Sequence, residues 1–222
     1  MAMLGFYGGT FDPIHQGHLQ SALYVQQYCQ LERLELIPCH LPPHRAHPGV
    51  SSEHRAAMVQ LAIAPYPQLA LNLLELAKNA PSYTIETLEQ LRAQYPNDTL
   101  LFVIGMDSLT QFHTWFRFRD ILKLCHLLVC QRPGYQPEHN ETRALLAVHQ
   151  LQSVGELADS PAGGILLLPN PPLDVSATAI RQSLQRSSNA HIAVTSGASH
   201  ANPLCQIEAV QAYILEHQLY QV

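Results

Sequence analysis

The string GGTFDPIHQGH, from Gly8 to His18, holds the residue types that a phosphate-binding turn needs, in a workable order. Two glycines, Gly8 and Gly9, follow the apolar run Leu4–Tyr7, so a strand is expected to run straight into a tight turn. His15 and His18 bracket Gly17 where a helical pattern begins, which puts both imidazoles on one face of the first turn. A helix start carries unpaired backbone N–H groups and the positive end of the macrodipole, and both favour anions. Gly17 lets a bulky ligand approach the backbone. A polyphosphate suits this arrangement best. Two plainer readings use the same residues: an ordinary turn beside surface histidines, in a chain with 13 of them, and a structural zinc pair. The second lacks a further ligand pair at zinc spacing.

Elements must position these groups, and the chain supplies them in alternation. Strand-like runs at Leu4–Tyr7, Leu34–Ile37, Leu69–Leu73, Thr99–Ile104, His126–Cys130 and Ile165–Leu168 alternate with helical patterns. The helices are expected at His18–Cys29, after a cap at Ser51 or Ser52, at Ile85–Gln94, Phe118–Leu124, Thr142–Gln152, Ala177–Gln185 and Ile207–Leu219. This alternation predicts an α/β protein with a parallel sheet covered on both faces. The unbroken apolar run of Thr99–Ile104 fits the centre of such a sheet. Gly105 and Asp107 follow it, at the edge where open α/β sheets bind ligands. Arg186–Asn202, rich in Ser, Ala, Asn, Gly and His, reads as a loop.

Composition narrows the classes. The 222 residues fit one domain, 1–222, with a small C-terminal helical portion from about 176 to 222. A net charge of −5 argues against general nucleic-acid binding, so phosphate affinity must come from a few placed groups. The five cysteines form no CxxC pair, which reads as reduced thiols in a cytoplasmic protein. No signal peptide or membrane span is expected. A homo-oligomer is compatible with this composition.

GGTFDPIHQGH resembles the signature of the HxGH nucleotidyltransferases, which have a Rossmann-like, doubly wound fold. LPPHR at Leu41–Arg45, NAPSYT at Asn79–Thr84, IGMDS at Ile104–Ser108, Thr114-Trp115, QRPGY at Gln131–Tyr135 and SATAIR at Ser176–Arg181 follow in order. Together they resemble the nicotinate mononucleotide adenylyltransferase branch of that superfamily. The resemblance implies adenylyl transfer from ATP to nicotinate mononucleotide, with Mg²⁺ arriving on ATP and no protein metal ligand. Other acceptors, nicotinamide mononucleotide or pantetheine phosphate, are the alternatives within the superfamily. Outside it stand a silent nucleotide-binding module and a histidine-rich metal store.

Residue roles follow from the resemblance. His15, His18 and Arg181 would contact the ATP phosphates during transfer. Gly8, Gly9, Thr10 and Phe11 would hold the turn against the nucleotide, Phe11 through its backbone or ring, while Asp12 and Pro13 shape it. Ser176 and Thr178 would add hydroxyls at a helix start, with a plain cap as the alternative. The family has two serines before the threonine, where this chain has Ser176-Ala177. Gly105, Asp107 and Arg132 would flank the adenosine; an N-cap role for Asp107 and a surface salt bridge for Arg132 compete. On the acceptor side, His44 and Arg45 sit in a loop stiffened by prolines, and Arg45 could fork onto the mononucleotide phosphate. Arg55 would join that site or decorate a helix. Thr84 and Phe116 would offer amides to the nicotinate carboxylate, and Trp115 would stack on the pyridine ring or pack in the core. His40, His44 and His47 look like a metal cluster but lack cysteine or acidic partners.

Overall fold

In a computed structural model, residues 2–41, 49–77, 81–171, 173–190 and 207–221 are described. Seven strands form one sheet: β1 Met3–Gly9, β2 Leu34–Pro38, β3 Leu69–Leu71, β4 Thr99–Gly105, β5 His126–Cys130, β6 Gln150–Leu151 and β7 Ile165–Leu168. Their order is β3-β2-β1-β4-β5-β7-β6, and every pairing is parallel. The chain builds outward from β1 to β3, then returns to lay β4 on the other side of β1. Strand order reverses between β1 and β4, so a crevice opens at their carboxyl ends. Gly8 and Gly9 end one wall and Gly105 ends the other.

Strand periodicity sorts the apolar side chains into two layers. Leu101 and Val103 of β4 point into one core, while Leu100, Phe102 and Ile104 point into the other. Among the described residues, eight α-helices accompany the sheet: α1 Gln16–Tyr28, α2 Ser52–Ile63, α3 Thr84–Gln94, α4 Met106–Thr110, α5 Phe118–Leu124, α6 Asn140–His149, α7 Ala177–Ala190 and α8 Glu208–Glu216. The first core takes Leu19, Ala22 and Val25 of α1, Met58 and Val59 of α2, Ile180 of α7, and Val210 and Ile214 of α8. The second takes Ile85, Leu88 and Leu91 of α3, with Ile121 and Leu122 of α5. The fold is therefore the expected Rossmann-like α/β sheet with helices on both faces. The C-terminal helices share the first core instead of forming a separate layer, and His54 Nδ1 on α2 lies 2.9 Å from the Tyr213 hydroxyl on α8.

Several boundaries differ from expectation. Helix α7 runs to Ala190, so the loop expected over Arg186–Asn202 begins as helix, and residues 191–202 lie outside the described residues. The helical pattern expected over Thr142–Gln152 stops at His149, because Gln150 and Leu151 pair with Ile165 and Leu166 as a short edge strand. The strand expected at Leu69–Leu73 ends at Leu71; the Asn72 side-chain oxygen accepts the Leu74 amide and turns the chain. Among the described residues, no helix is long and apolar enough to cross a membrane.

Candidate active site

The crevice between β1 and β4 is a cavity of about 730 Å³. Gly8, Gly9, Thr10, His15, His18, Thr84, Gly105, Asp107, Trp115, Phe116 and Arg132 all line it. The sheet edge thus gathers residues from one end of the sequence to beyond its middle.

The turn from Gly8 to His18 is built by close packing. The Phe11 ring folds back over Gly9, where a Cβ would meet ring atoms at 2.8 Å. Phe11 adopts a left-handed φ of 48° to do so. Its ring is 1% exposed and sits edge-on to His18, with centroids 5.1 Å apart. The ring therefore belongs to the core and supports His18; only the Phe11 backbone is left for a ligand.

His15 is the N-cap of α1, and its Nδ1 accepts the Gly17 amide at 3.1 Å. A Cβ on Gly17 would stand 3.0 Å from His15 Cε1, so glycine permits this fold-over. With Nδ1 accepting, the neutral ring carries its proton on Nε2. Burial, and after it the Arg132 guanidinium, push the His15 pKa down to about 4. His15 is thus an uncharged N–H donor at neutral pH. His18 stacks on it.

On the β4 side, Gly105 caps α4, which places Asp107 inside the first turn. Asp107 is therefore not the helix cap. Its Oδ2 accepts Arg132 Nη1 at 2.9 Å, so the two residues form one charged pair at the crevice wall. Cys130 and Leu168 end neighbouring strands behind them.

Ser176, Thr178 and Arg181, expected from sequence to bind phosphate, lie close by without lining the cavity. Ser176 caps α7 by accepting the Ala179 amide at 3.2 Å. Val175, just before it, does line the cavity, and its carbonyl oxygen lies 3.8 Å from where a Cβ on Gly17 would be. The starts of α1 and α7 therefore adjoin. Arg181 Nη1 donates to the Asp12 carbonyl at 2.6 Å, and its Nη2 donates to the Thr178 hydroxyl at 3.4 Å.

At the opposite end of the cavity, α3 starts without a side-chain cap at Tyr83. Among the described residues, the Thr84 and Phe116 amides have no partner. Trp115 is half-buried, 5.4 Å from Phe112 between ring centroids, and also lines the cavity. The Tyr83 and Phe116 rings pack 5.0 Å apart beside it.

Arg55 departs from both of its expected roles. It is fully buried, donating to the Thr10 carbonyl at 2.7 Å and the His40 carbonyl at 2.8 Å. Two buried carbonyls hold its terminal nitrogens, while its buried Nε has no hydrogen-bond partner among the described residues. His40 is also tied down, with Nδ1 2.9 Å from the Ser52 hydroxyl. His44, Arg45 and His47 lie outside the described residues. Asp12, read from sequence as a turn former, binds far more than its own turn. Its carboxylate accepts the Gly49 amide at 2.9 Å and the Tyr220 hydroxyl at 2.7 Å. Nothing local in the sequence marks that role, because its partners are distant along the chain.

Comparisons with known proteins show the family and agree with the fold. Residues 6–183 match the cytidylyltransferase-like family. The chain is 41% identical over 220 residues to the probable nicotinate-nucleotide adenylyltransferase of Cellvibrio japonicus, covering 98% of each chain. It is 40% identical over 223 residues to the probable nicotinate-nucleotide adenylyltransferase of Pectobacterium atrosepticum, covering 99% of each. Among solved structures, the Plasmodium falciparum nicotinic acid mononucleotide adenylyltransferase complexed with NaAD superposes with a TM-score of 0.70 at 16% identity. The match covers 99% of this chain and 98% of that one. At that identity the likeness speaks for the fold.

Proposed function

This chain belongs to the cytidylyltransferase-like family, alongside the nicotinate-nucleotide adenylyltransferases, and from that premise we propose how its crevice works. The protein is a nucleotidyltransferase of NAD biosynthesis: it transfers the adenylyl group of ATP to nicotinate mononucleotide and releases pyrophosphate. An oxygen of the mononucleotide phosphate attacks the α-phosphorus, and the bond to the β-phosphate oxygen breaks. That nucleophile is already largely dianionic near neutrality, its second pKa being about 6. The reaction therefore requires alignment and charge stabilisation more than a protein nucleophile.

The observation that carries the reading is the His15–His18 stack at the start of α1, in the crevice where strand order reverses. Neutral His15 offers Nε2–H, and His18, the Phe11 amide and the adjoining start of α7 add donors around the phosphates. Arg181 supplies a fixed positive charge. Asp107 accepts from the nucleoside, while Arg132 balances it. The unpaired amides of Thr84 and Phe116 receive the nicotinate carboxylate, and Trp115 stacks on the pyridine ring. By resemblance, Arg45 would fork onto the acceptor's phosphate.

Among the described residues, no three His, Cys, Asp or Glu side chains converge on one point. A divalent cation, Mg²⁺, fits as part of the substrate, held by phosphate oxygens and water. It would neutralise charge on the triphosphate. The four described cysteines are free thiols, in keeping with a cytoplasmic setting.

The deciding assay is pyrophosphate release from Mg·ATP with nicotinate mononucleotide, nicotinamide mononucleotide and pantetheine phosphate in parallel. Fastest turnover with the nicotinate acceptor is expected. ATP binding without release under every condition would make the protein a silent nucleotide-binding module.

A further inference from the structure

The phosphate turn is tied to the far end of the chain. Asp12 is 7% exposed, and three groups distant in sequence converge on it. The Tyr220 hydroxyl donates to Oδ1 at 2.7 Å, and the Gly49 amide donates to Oδ2 at 2.9 Å. The Arg181 guanidinium stands 3.7 Å from Oδ2, while its Nη1 holds the Asp12 main-chain carbonyl. Tyr220 is itself buried, with its ring against Gly49, where a Cβ would meet Tyr220 Cε1 at 3.1 Å. Gln218 and Tyr220 adopt left-handed φ values of 51° and 62°, a conformation that costs residues bearing a side chain. The end of the chain is bent so that the hydroxyl reaches Asp12. Burial, and then the Asp12 charge, keep that phenol protonated.

A buried carboxylate draws in whatever donors lie within reach. With Oδ1 taken by Tyr220 and Oδ2 by Gly49, Arg181 is ion-paired with the carboxylate at 3.7 Å but makes no direct hydrogen bond to it. Its hydrogen bonds go to neutral oxygens, the Asp12 carbonyl and the Thr178 hydroxyl, which leave its charge available to an anion. Without the hydroxyl, Asp12 would draw Arg181 from 3.7 Å into a direct charge-assisted hydrogen bond. We infer that Tyr220 is a positioning residue for adenylyl transfer: its hydroxyl satisfies Asp12 and so leaves Arg181 available to the triphosphate. This rests on the reading of the crevice given above.

Tyr220→Phe removes the hydroxyl and keeps the ring. In that variant kcat for pyrophosphate release falls about tenfold, the scale of one hydrogen bond to a charged group, with no change in KM for the mononucleotide. In an Arg181→Ala background the same substitution changes kcat by less than about twofold, because the group it acts through is gone. Wild-type kcat with only a lowered melting temperature overturns the proposal. So does an equal loss in both backgrounds. The wild-type chain gives a readout that needs no variant. A non-hydrolysable ATP analogue slows amide exchange in residues 8–18 and also across α8 and Tyr220. Protection of the turn without protection of the tail overturns the proposal. Protection of neither, with no turnover by the wild-type chain, overturns the adenylyl-transfer reading instead.

Discussion

The rings of His15 and His18 stack with their centroids 3.8 Å apart and their planes 29° from parallel. Two imidazolium ions could not share that spacing without strong repulsion, so the geometry disfavours two positive charges on the pair. Phe11 closes the stack from the His18 side and the start of α1 closes it from the His15 side. The pair is therefore held ready for a ligand with little rearrangement to make. Replacing His18 with Ala is expected to lower kcat by about two orders of magnitude or more while the far-ultraviolet circular dichroism is unchanged. Pyrophosphate release checks the first, and a near-normal kcat would remove His18 from the chemistry.

The depressed pKa of His15 sets a pH dependence of stability. His15 takes up its proton near pH 4 in the folded chain, against 6.5 for the free imidazole. Between those values the unfolded chain holds more protons, so stability falls as pH falls through that window and is constant above it. At pH 5 the loss attributable to His15 is about 2 kcal/mol relative to pH 7. His126, lowered mainly by burial, adds to the loss in the same direction. Urea unfolding at the two pH values measures the total. His15→Asn, which keeps a capping side chain, should flatten the curve. An unaltered curve in that variant would place the titration elsewhere.

Asp107 and Arg132 face the crevice as a pair, with the Arg132 side chain 37% exposed. Such a pair contributes about 1 kcal/mol or less to stability. Asp107→Ala is therefore expected to leave the melting temperature nearly unchanged but to raise KM for ATP about tenfold, through loss of an acceptor for the nucleoside. Steady-state kinetics at saturating mononucleotide tests this. A large drop in melting temperature with KM intact would make the pair structural.

Trp115→Ala should mainly raise KM for the mononucleotide, because the indole is half-buried and faces the cavity. Parallel titration of both substrates separates the effects. An acceptor KM equal to wild type would assign Trp115 to packing on Phe112.

Arg55 yields the opposite pattern. Removing its guanidinium strands the Thr10 and His40 carbonyls, so Arg55→Ala is expected to cost about 3 kcal/mol of unfolding free energy. The loss appears in urea denaturation. A variant of normal stability with a raised acceptor KM would return Arg55 to the phosphate site.

The sheet was legible because its central strands are apolar on both faces. Thr99–Ile104, His126–Cys130 and Ile165–Leu168 read as strands almost to the residue. The turn from Gly8 to His18 was legible because its glycines and histidines are close in sequence. Short elements were not: α4 spans five residues, too few to show a period, and β6 is defined by its pairing with β7. Arg55 was ambiguous because sequence does not say which helix face turns inward. The reach of Asp12 was hidden for a related reason, since its partners stand 37, 169 and 208 positions away.

The all-parallel pairing also governs when the protein becomes competent during synthesis. Parallel neighbours cannot be joined by a tight hairpin, so β1 waits for Thr99–Gly105 to emerge before its second wall exists. The start of α7 and the Tyr220 hydroxyl arrive later still. A nascent chain thus carries its histidine turn for most of translation with no complete pocket around it. Substrate cannot stabilise the early intermediates, and their apolar strands depend on helices or chaperones for shelter.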